Sequence, residues 1–284
     1  MNLQNRYNRL DPWLRNAKTG EIMTETVIDP EFGTSKTYKI QNPEFVNNLT
    51  NDVMGPINRM LAQANPNYKP PKIEVVDSNR DPSVRDKFSH KDNTAEFNES
   101  KSGEYSILID LAMYNPGKPL HEINHLIQAE FMKNNPQSGF AYTKQLTNAL
   151  DGINFPGLFI DGRPITGKSL REAIANDPVY GKKSEADQVR EVLSFTLEYL
   201  SNPKVYTENP YVAGSALINL KTKFRSIMNS MGIDVGADLN TAGGVIQTFY
   251  DFMSEASKGK VSSTVLDRMN ELNKISTKDR DWET

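Results

Sequence analysis

Residues 105–133 read YSILIDLAMYNPGKPLHEINHLIQAEFMK, and this stretch decides the fold. Tyr105 to Leu111 is mostly apolar and β-branched, and it lies between Ser102-Gly103 and Asn115-Pro116-Gly117, which predicts a strand running into a turn. Pro119 is then tolerated in a first helical turn, and Leu120, Ile123, Leu126, Ile127, Ala129 and Phe131 recur at helical spacing through about Lys133. The helix carries His121 and His125 on either side of Glu122, Ile123 and Asn124. Residues i and i+4 share a helix face, so both imidazoles can converge on one metal ion with the Glu122 carboxylate beside it.

His121-Glu122-Ile123-Asn124-His125 is H-E-x-x-H, the pattern of zinc metallopeptidases. Zinc lowers the pKa of a water toward neutrality, and Glu122 is placed to accept its proton as the water attacks a carbonyl. The longer pattern H-E-x-x-H-x-x-G-x-x-H is not met, because Gln128 and Phe131 stand where its glycine and last histidine would be. The remaining histidine, His90, lies upstream among Lys, Asp and Asn in a segment that reads as loop. A carboxylate is therefore the expected third ligand.

Ser184 to Ser201, SEADQVREVLSFTLEYLS, predicts the strongest downstream helix, with Ser184 and Asp187 spaced as a capping box and Asn202-Pro203 as a stop. At about 100° per residue, Val189, Val192, Leu193, Thr196, Tyr199 and Leu200 form one face with Glu191 at its edge in mid-helix. Glu185 and Glu198 compete with it. Glu185 belongs to the first turn, where a carboxylate is favoured by the helix dipole, and Glu198 lies further from the apolar centre and reads as a solvated charge.

These features together resemble the gluzincins, zinc peptidases with two His and one Glu ligand: an apolar strand, a short turn, H-E-x-x-H on a helix, and a later helix of the type E-x-x-[AS]-x-x-x-x-[YL]-L. REVLSFTLEYL, Arg190 to Leu200, is similar to the distal-glutamate helix of lethal-factor-like peptidases and of metallopeptidase domains in long polyvalent proteins of phages and mobile elements. The resemblance covers about Tyr105 to Leu200. It implies His121, His125 and Glu191 as zinc ligands and Glu122 as general base, with a tyrosine helping to stabilise the oxyanion; Tyr180, Tyr206 and Tyr211 are the candidates downstream. It departs from the family at Phe195, where an acidic residue often follows the ligand by one turn, so no group is assigned to orient a histidine.

Gly162-Arg-Pro-Ile-Thr-Gly167-Lys168-Ser169 matches the phosphate-loop pattern G-x-x-x-x-G-K-[ST] between apolar Leu158-Phe159-Ile160 and LREAIA, which read alone suggests an NTPase. Asp161 breaks the strand where the loop begins, the helix ends at Asn176-Asp177-Pro178, and no further parallel strands follow. The competing reading is a Gly/Pro turn with Thr166 or Ser169 capping a short helix.

The chain has 284 residues, no cysteine and a net charge of −3. Disulfides, iron–sulfur clusters and thiolate zinc sites are thereby excluded, and no basic run invites nucleic acid. The polar start MNLQNRYNRLDPWLRN and the absence of roughly 18 consecutive apolar residues argue against a signal core or a membrane span, so a cytoplasmic or virion-associated protein is expected.

Residues 1–40 read as an irregular arm suited to binding an assembly partner; 41–205 as the metallopeptidase domain; 206–284 as a helical subdomain. Pro43 to Ala64 predicts a helix interrupted near Gly55-Pro56, Lys72 to Asp77 a strand, and Ser78 to Gly103 a long loop or hairpin. Helices are expected over Tyr211–Met231, Leu239–Ser257 and Ser262–Ile275, with Met228, Met231, Met253 and Met269 as core filler.

The expected fold is α+β, mainly helical and zincin-like, with a small sheet over the H-E-x-x-H helix, strand 105–111 at its edge, and peptide or protein as substrate. A structural or delivered virion protein that retains the fold with little activity is the alternative.

Overall fold

The computed structural model describes residues 11–90, 93–114, 117–134, 136–160, 163–201, 221–222, 224–226, 229 and 248–254. They form an α+β protein dominated by helix. Two compact units, Met1–Ile123 and Asn124–Thr284, divide inside the helix Lys118–Asn134, which runs unbroken through the boundary.

The first unit opens with an antiparallel hairpin, β1 (Thr24–Ile28) and β2 (Ser35–Lys39), in a segment whose sequence reads as irregular. Nearly every position of both strands is exposed, so no alternating apolar face announces them. The turn is built by Asp29, whose Oδ1 accepts the Glu31 and Phe32 amides, and by Gly33 at φ +63°. Arg80 anchors the base, pairing with Glu25 at 2.5 Å, donating to the Lys39 carbonyl and lying over the Tyr38 ring.

The expected interruption at Gly55-Pro56 is a widened turn. Helix α1 (Phe45–Asn48) passes into a π-helical segment, Leu49–Met54, and resumes as α2 (Gly55–Ala64). Pro56 has no N–H to donate to the carbonyl of Asp52 and its ring crowds that carbonyl, which a π turn relieves without ending the helix. Phe45, Leu49, Met54, Ile57 and Leu61 remain buried throughout.

Strands β3 (Lys72–Val76), β4 (Ala95–Glu99) and β5 (Tyr105–Asp110) form a sheet in the order β3-β5-β4, with β3 parallel and β4 antiparallel to β5. This corrects one expectation: β5 is the central strand, and β3 and β4 are the edges. β4 lies in the stretch read as a long loop or hairpin. Every position of β5 except Ser106 is buried, the mark of a strand covered on both faces. β4 reads AEFNE, whose charges and Asn carry little strand propensity but suit an edge. The intervening polar stretch also holds a short 3-10 helix, Pro82–Lys87, capped by Asp81.

Asp110, at the end of β5, is fully buried. Its Oδ1 accepts the Ser78 and Ala112 amides, each at 3.0 Å, and its Oδ2 the Arg85 guanidinium at 2.8 Å. Burial alone would push its carboxyl up, but the Ser78, Ala112 and Arg85 donors outweigh it and hold it below the usual Asp range.

The second unit comprises the rest of α3 (Lys118–Asn134), α4 (Pro136–Ala149), the antiparallel hairpin β6 (Asn154–Ile160) and β7 (Arg163–Thr166), α5 (Gly167–Asn176) and α6 (Glu185–Ser201). Leu126, Ile127, Leu146, Leu150, Val192, Leu193 and Leu197 make its core, and Phe155 meets Tyr199 edge-on at 5.3 Å.

The phosphate-loop pattern falls on this hairpin and helix. Arg163–Thr166 is strand, and Thr166 caps α5 in a reciprocal box with Ser169. Gly167 is there for close approach, since a Cβ would lie 2.1 Å from the Leu150 carbonyl oxygen. Lys168 is exposed and faces Glu172 at 3.9 Å. The Ser184 cap on α6 forms as expected, accepting the Asp187 amide and donating to its carboxylate.

Residues 221–222, 224–226 and 229, within the first expected C-terminal helix, and 248–254, within the second, are helical, and Met253 is buried. Ser262–Ile275, Met228, Met231 and Met269 lie outside the described residues. Among the described residues no helix is long and apolar enough to cross a membrane.

Candidate metal centre

Helix α3 presents two faces. Leu120, Ile123, Leu126, Ile127 and Phe131 are buried apolar contacts that fix its orientation, and His121 and His125 share a face one turn apart. His121 and Glu122 are buried, while the His125 side chain keeps 18% of its surface exposed. One imidazole nitrogen from each histidine and one carboxylate oxygen of Glu191 all lie within 4.8 Å of one another. The sequence thus names the three residues that the fold brings together, although Glu191 is many residues downstream.

This donor set fits zinc. Bonds of about 2.0–2.1 Å in a tetrahedral site set neighbouring ligand atoms about 3.4 Å apart. His125 Nε2 and Glu191 Oε2 are 3.3 Å apart, a separation that matches one edge of such a tetrahedron. Glu191 is 4% exposed, and a carboxylate taken that far out of water needs a positive charge or strong donors beside it. Two imidazoles and one carboxylate also leave a fourth position for a water or substrate, as catalytic zinc sites do.

The sequence leaves unassigned any group to orient a histidine, and Ser194 is a hydroxyl that stands beside one. Its Oγ stands 3.5 Å from His125 Nδ1 and accepts the Gln128 side-chain amide at 3.0 Å, and both Ser194 and Gln128 are fully buried. Nε2 is turned to Glu191 and Nδ1 faces the hydroxyl, the place from which a neighbouring group orients a ligating imidazole. Ser194 follows Glu191 by three residues and so lies on its side of α6, but that spacing alone does not say that it faces His125. Phe195, where the resemblance looks for an acid, offers no such group.

Glu122 stands apart from the ligand set. Its Oε2 accepts the backbone amide of Phe97, in the edge strand β4, at 2.7 Å. Glu185, a rival for third ligand, is instead an exposed partner of Lys144 at 2.6 Å. Glu198 is outside the cluster but buried at 8%, contrary to the solvated charge its position suggests. Seven residues separate it from Glu191, so it shares that face and is covered with it.

Asn124, inside the motif, is 1% exposed and neither of its amide atoms has a hydrogen-bond partner among the described residues. Tyr180 sits in a short 3-10 turn, Tyr180–Lys182, with the Lys183 ammonium 4.7 Å above its ring. Tyr206 and Tyr211 lie outside the described residues. His90 is exposed in its loop. No protein-family model, no curated protein and no solved structure matches this chain.

Proposed function

We propose that this chain is a zinc-dependent metallopeptidase of the gluzincin kind, with a zincin-like fold. The observation that carries the reading is the convergence of His121, His125 and Glu191 on one point, with Glu122 beside His121 on the same helix. His121, His125 and Glu191 hold the metal, and zinc bound there supplies Lewis acidity toward a carbonyl and toward water. Glu122 accepts a proton from the attacking water at its carboxylate and returns it to the nitrogen of the leaving amine. Ser194 keeps the His125 ring turned toward Glu191. An extended peptide is the natural substrate, because β4 is a sheet edge and touches Glu122 through Phe97.

Elemental analysis of purified protein tests the site. About one zinc per chain is expected, lost in His121→Ala and in Glu191→Ala. Glu122→Gln is expected to abolish peptide cleavage while leaving zinc content and fold intact. No zinc in the wild type after reconstitution sinks the reading.

One observation favours a second reading, a virion or mobile-element protein that uses the fold in assembly. The hairpin tip presents Ile28 at 66% and Phe32 at 72% exposure, unusual for large apolar side chains. Full zinc occupancy without cleavage of any peptide library member, unchanged by Glu122→Gln, would support that reading over the first.

A further inference from the structure

Among the described residues β4 pairs with β5 on one side only. In the β4–β5 ladder the Asp110 amide donates to Thr94 and the Ser100 amide to Glu104, so Thr94, Glu96, Asn98 and Ser100 turn their backbone groups toward β5. Ala95, Phe97 and Glu99 turn theirs to the open edge. A donor there ordinarily faces solvent or an added strand. The Phe97 amide instead points at the Glu122 carboxylate and donates to Oε2 at 2.7 Å, a short, charge-assisted bond to a side chain that is 6% exposed.

We propose that the Phe97 backbone amide is the positioning group for Glu122: it fixes Oε2 as an acceptor and leaves Oε1 as the oxygen that exchanges the proton. This rests on the hydrolytic reading of Glu122. A glutamate has several rotatable bonds, and a general base must be held within a fraction of an ångström of its proton. A backbone donor on a sheet edge is rigid in a way that a second side chain is not. β4, which by composition is the least strand-like element of the sheet, is then kept for what its amide does rather than for what its side chains bury.

Hydrogen exchange in the metal-free protein reads the bond directly. The Phe97 amide is expected to exchange roughly tenfold to a hundredfold more slowly in wild type than in Glu122→Ala, the factor for a hydrogen bond to a charged acceptor. An equal rate in the two proteins overturns the proposal, whatever the peptidase assay gives.

Proline at position 97 removes the donor without breaking the ladder, because edge positions with an outward N–H tolerate it. Phe97→Ala is the reference for loss of the ring, which otherwise contacts Tyr105. With zinc content matched, Phe97→Pro is expected to lower kcat about tenfold below Phe97→Ala with KM little changed, within the range a small misplacement costs. Equal kcat in the two variants overturns the positioning role even if exchange confirms the bond. A wild type that shows the protected amide and one zinc but cleaves nothing refutes the hydrolytic reading, and the catalytic purpose of the bond falls with it.

Discussion

Asp110→Asn separates the two jobs that one buried carboxylate does. Both backbone donors, Ser78 and Ala112, reach Oδ1, whereas Arg85 reaches Oδ2. An asparagine with its carbonyl oxygen at the Oδ1 position keeps the first two bonds and turns an NH2 group toward the guanidinium. The loss is then one charge-assisted bond plus an unfavourable contact with Arg85, whose side chain is only 15% exposed, or about 2–3 kcal/mol. Asp110→Ala removes all three bonds from a site with no solvent access, and about 3–5 kcal/mol is expected. Against a total stability of about 5–15 kcal/mol, the alanine variant sits near the edge of folding and the asparagine variant does not.

Urea unfolding at pH 7, followed by far-UV circular dichroism, measures both differences at unchanged slope. The pH dependence adds a second check. The Asp110 carboxyl is held below its unfolded value, near 3.8, so its stabilisation is complete above that value and is lost as pH falls through the lower native one. The gap between wild type and Asp110→Asn should therefore narrow as the pH is taken below about 4. An asparagine variant within about 0.5 kcal/mol of wild type at pH 7, or a gap that stays constant down to acid unfolding, would refute the account of Asp110 as a charged anchor.

Three further outcomes are expected. Gly167→Ala places a methyl carbon 2.1 Å from the Leu150 carbonyl oxygen and should cost at least about 2 kcal/mol in thermal or urea unfolding, whereas Lys168→Ala should leave stability and activity unchanged. Ser194→Ala should weaken zinc binding roughly tenfold to a hundredfold in a chelator competition, with Ser194→Thr restoring most of it; equal affinities would remove Ser194 from the site. Asn124→Leu replaces a buried amide that has no hydrogen-bond partner among the described residues, and should raise the urea midpoint unless that amide serves a ligand.

The three residues of the cluster are legible in the sequence because their placement rests on one number, the helical period. His121 and His125 converge if the segment is helical, and Glu191 faces inward if α6 keeps its apolar face buried. Both conditions are local and strongly patterned. What escaped is whatever depends on a partner distant in sequence. Nothing in AEFNE distinguishes an edge strand from a polar loop until Phe97 is known to oppose Ile107 and to donate to Glu122. The β1–β2 hairpin hides for a related reason: its strands are exposed on nearly every position, so its pattern carries no burial signal, and Asp29 with Gly33 is the only readable trace.

Glu198 shows the same limit from the other side. A charge at the margin of a face is read as solvated, and the error arises because the width of the buried stripe on α6 is set by what packs on it rather than by α6 itself. The same dependence explains why Phe195 drew attention and Ser194 did not. One position along a helix turns a side chain through about 100°, so whether a hydroxyl faces an imidazole is decided by the placement of α3 against α6. The Gln128 amide, fully buried and donating to Ser194, marks that placement. A sequence pattern can thus nominate ligands, but the group that orients them becomes visible only when the two helices are seen side by side.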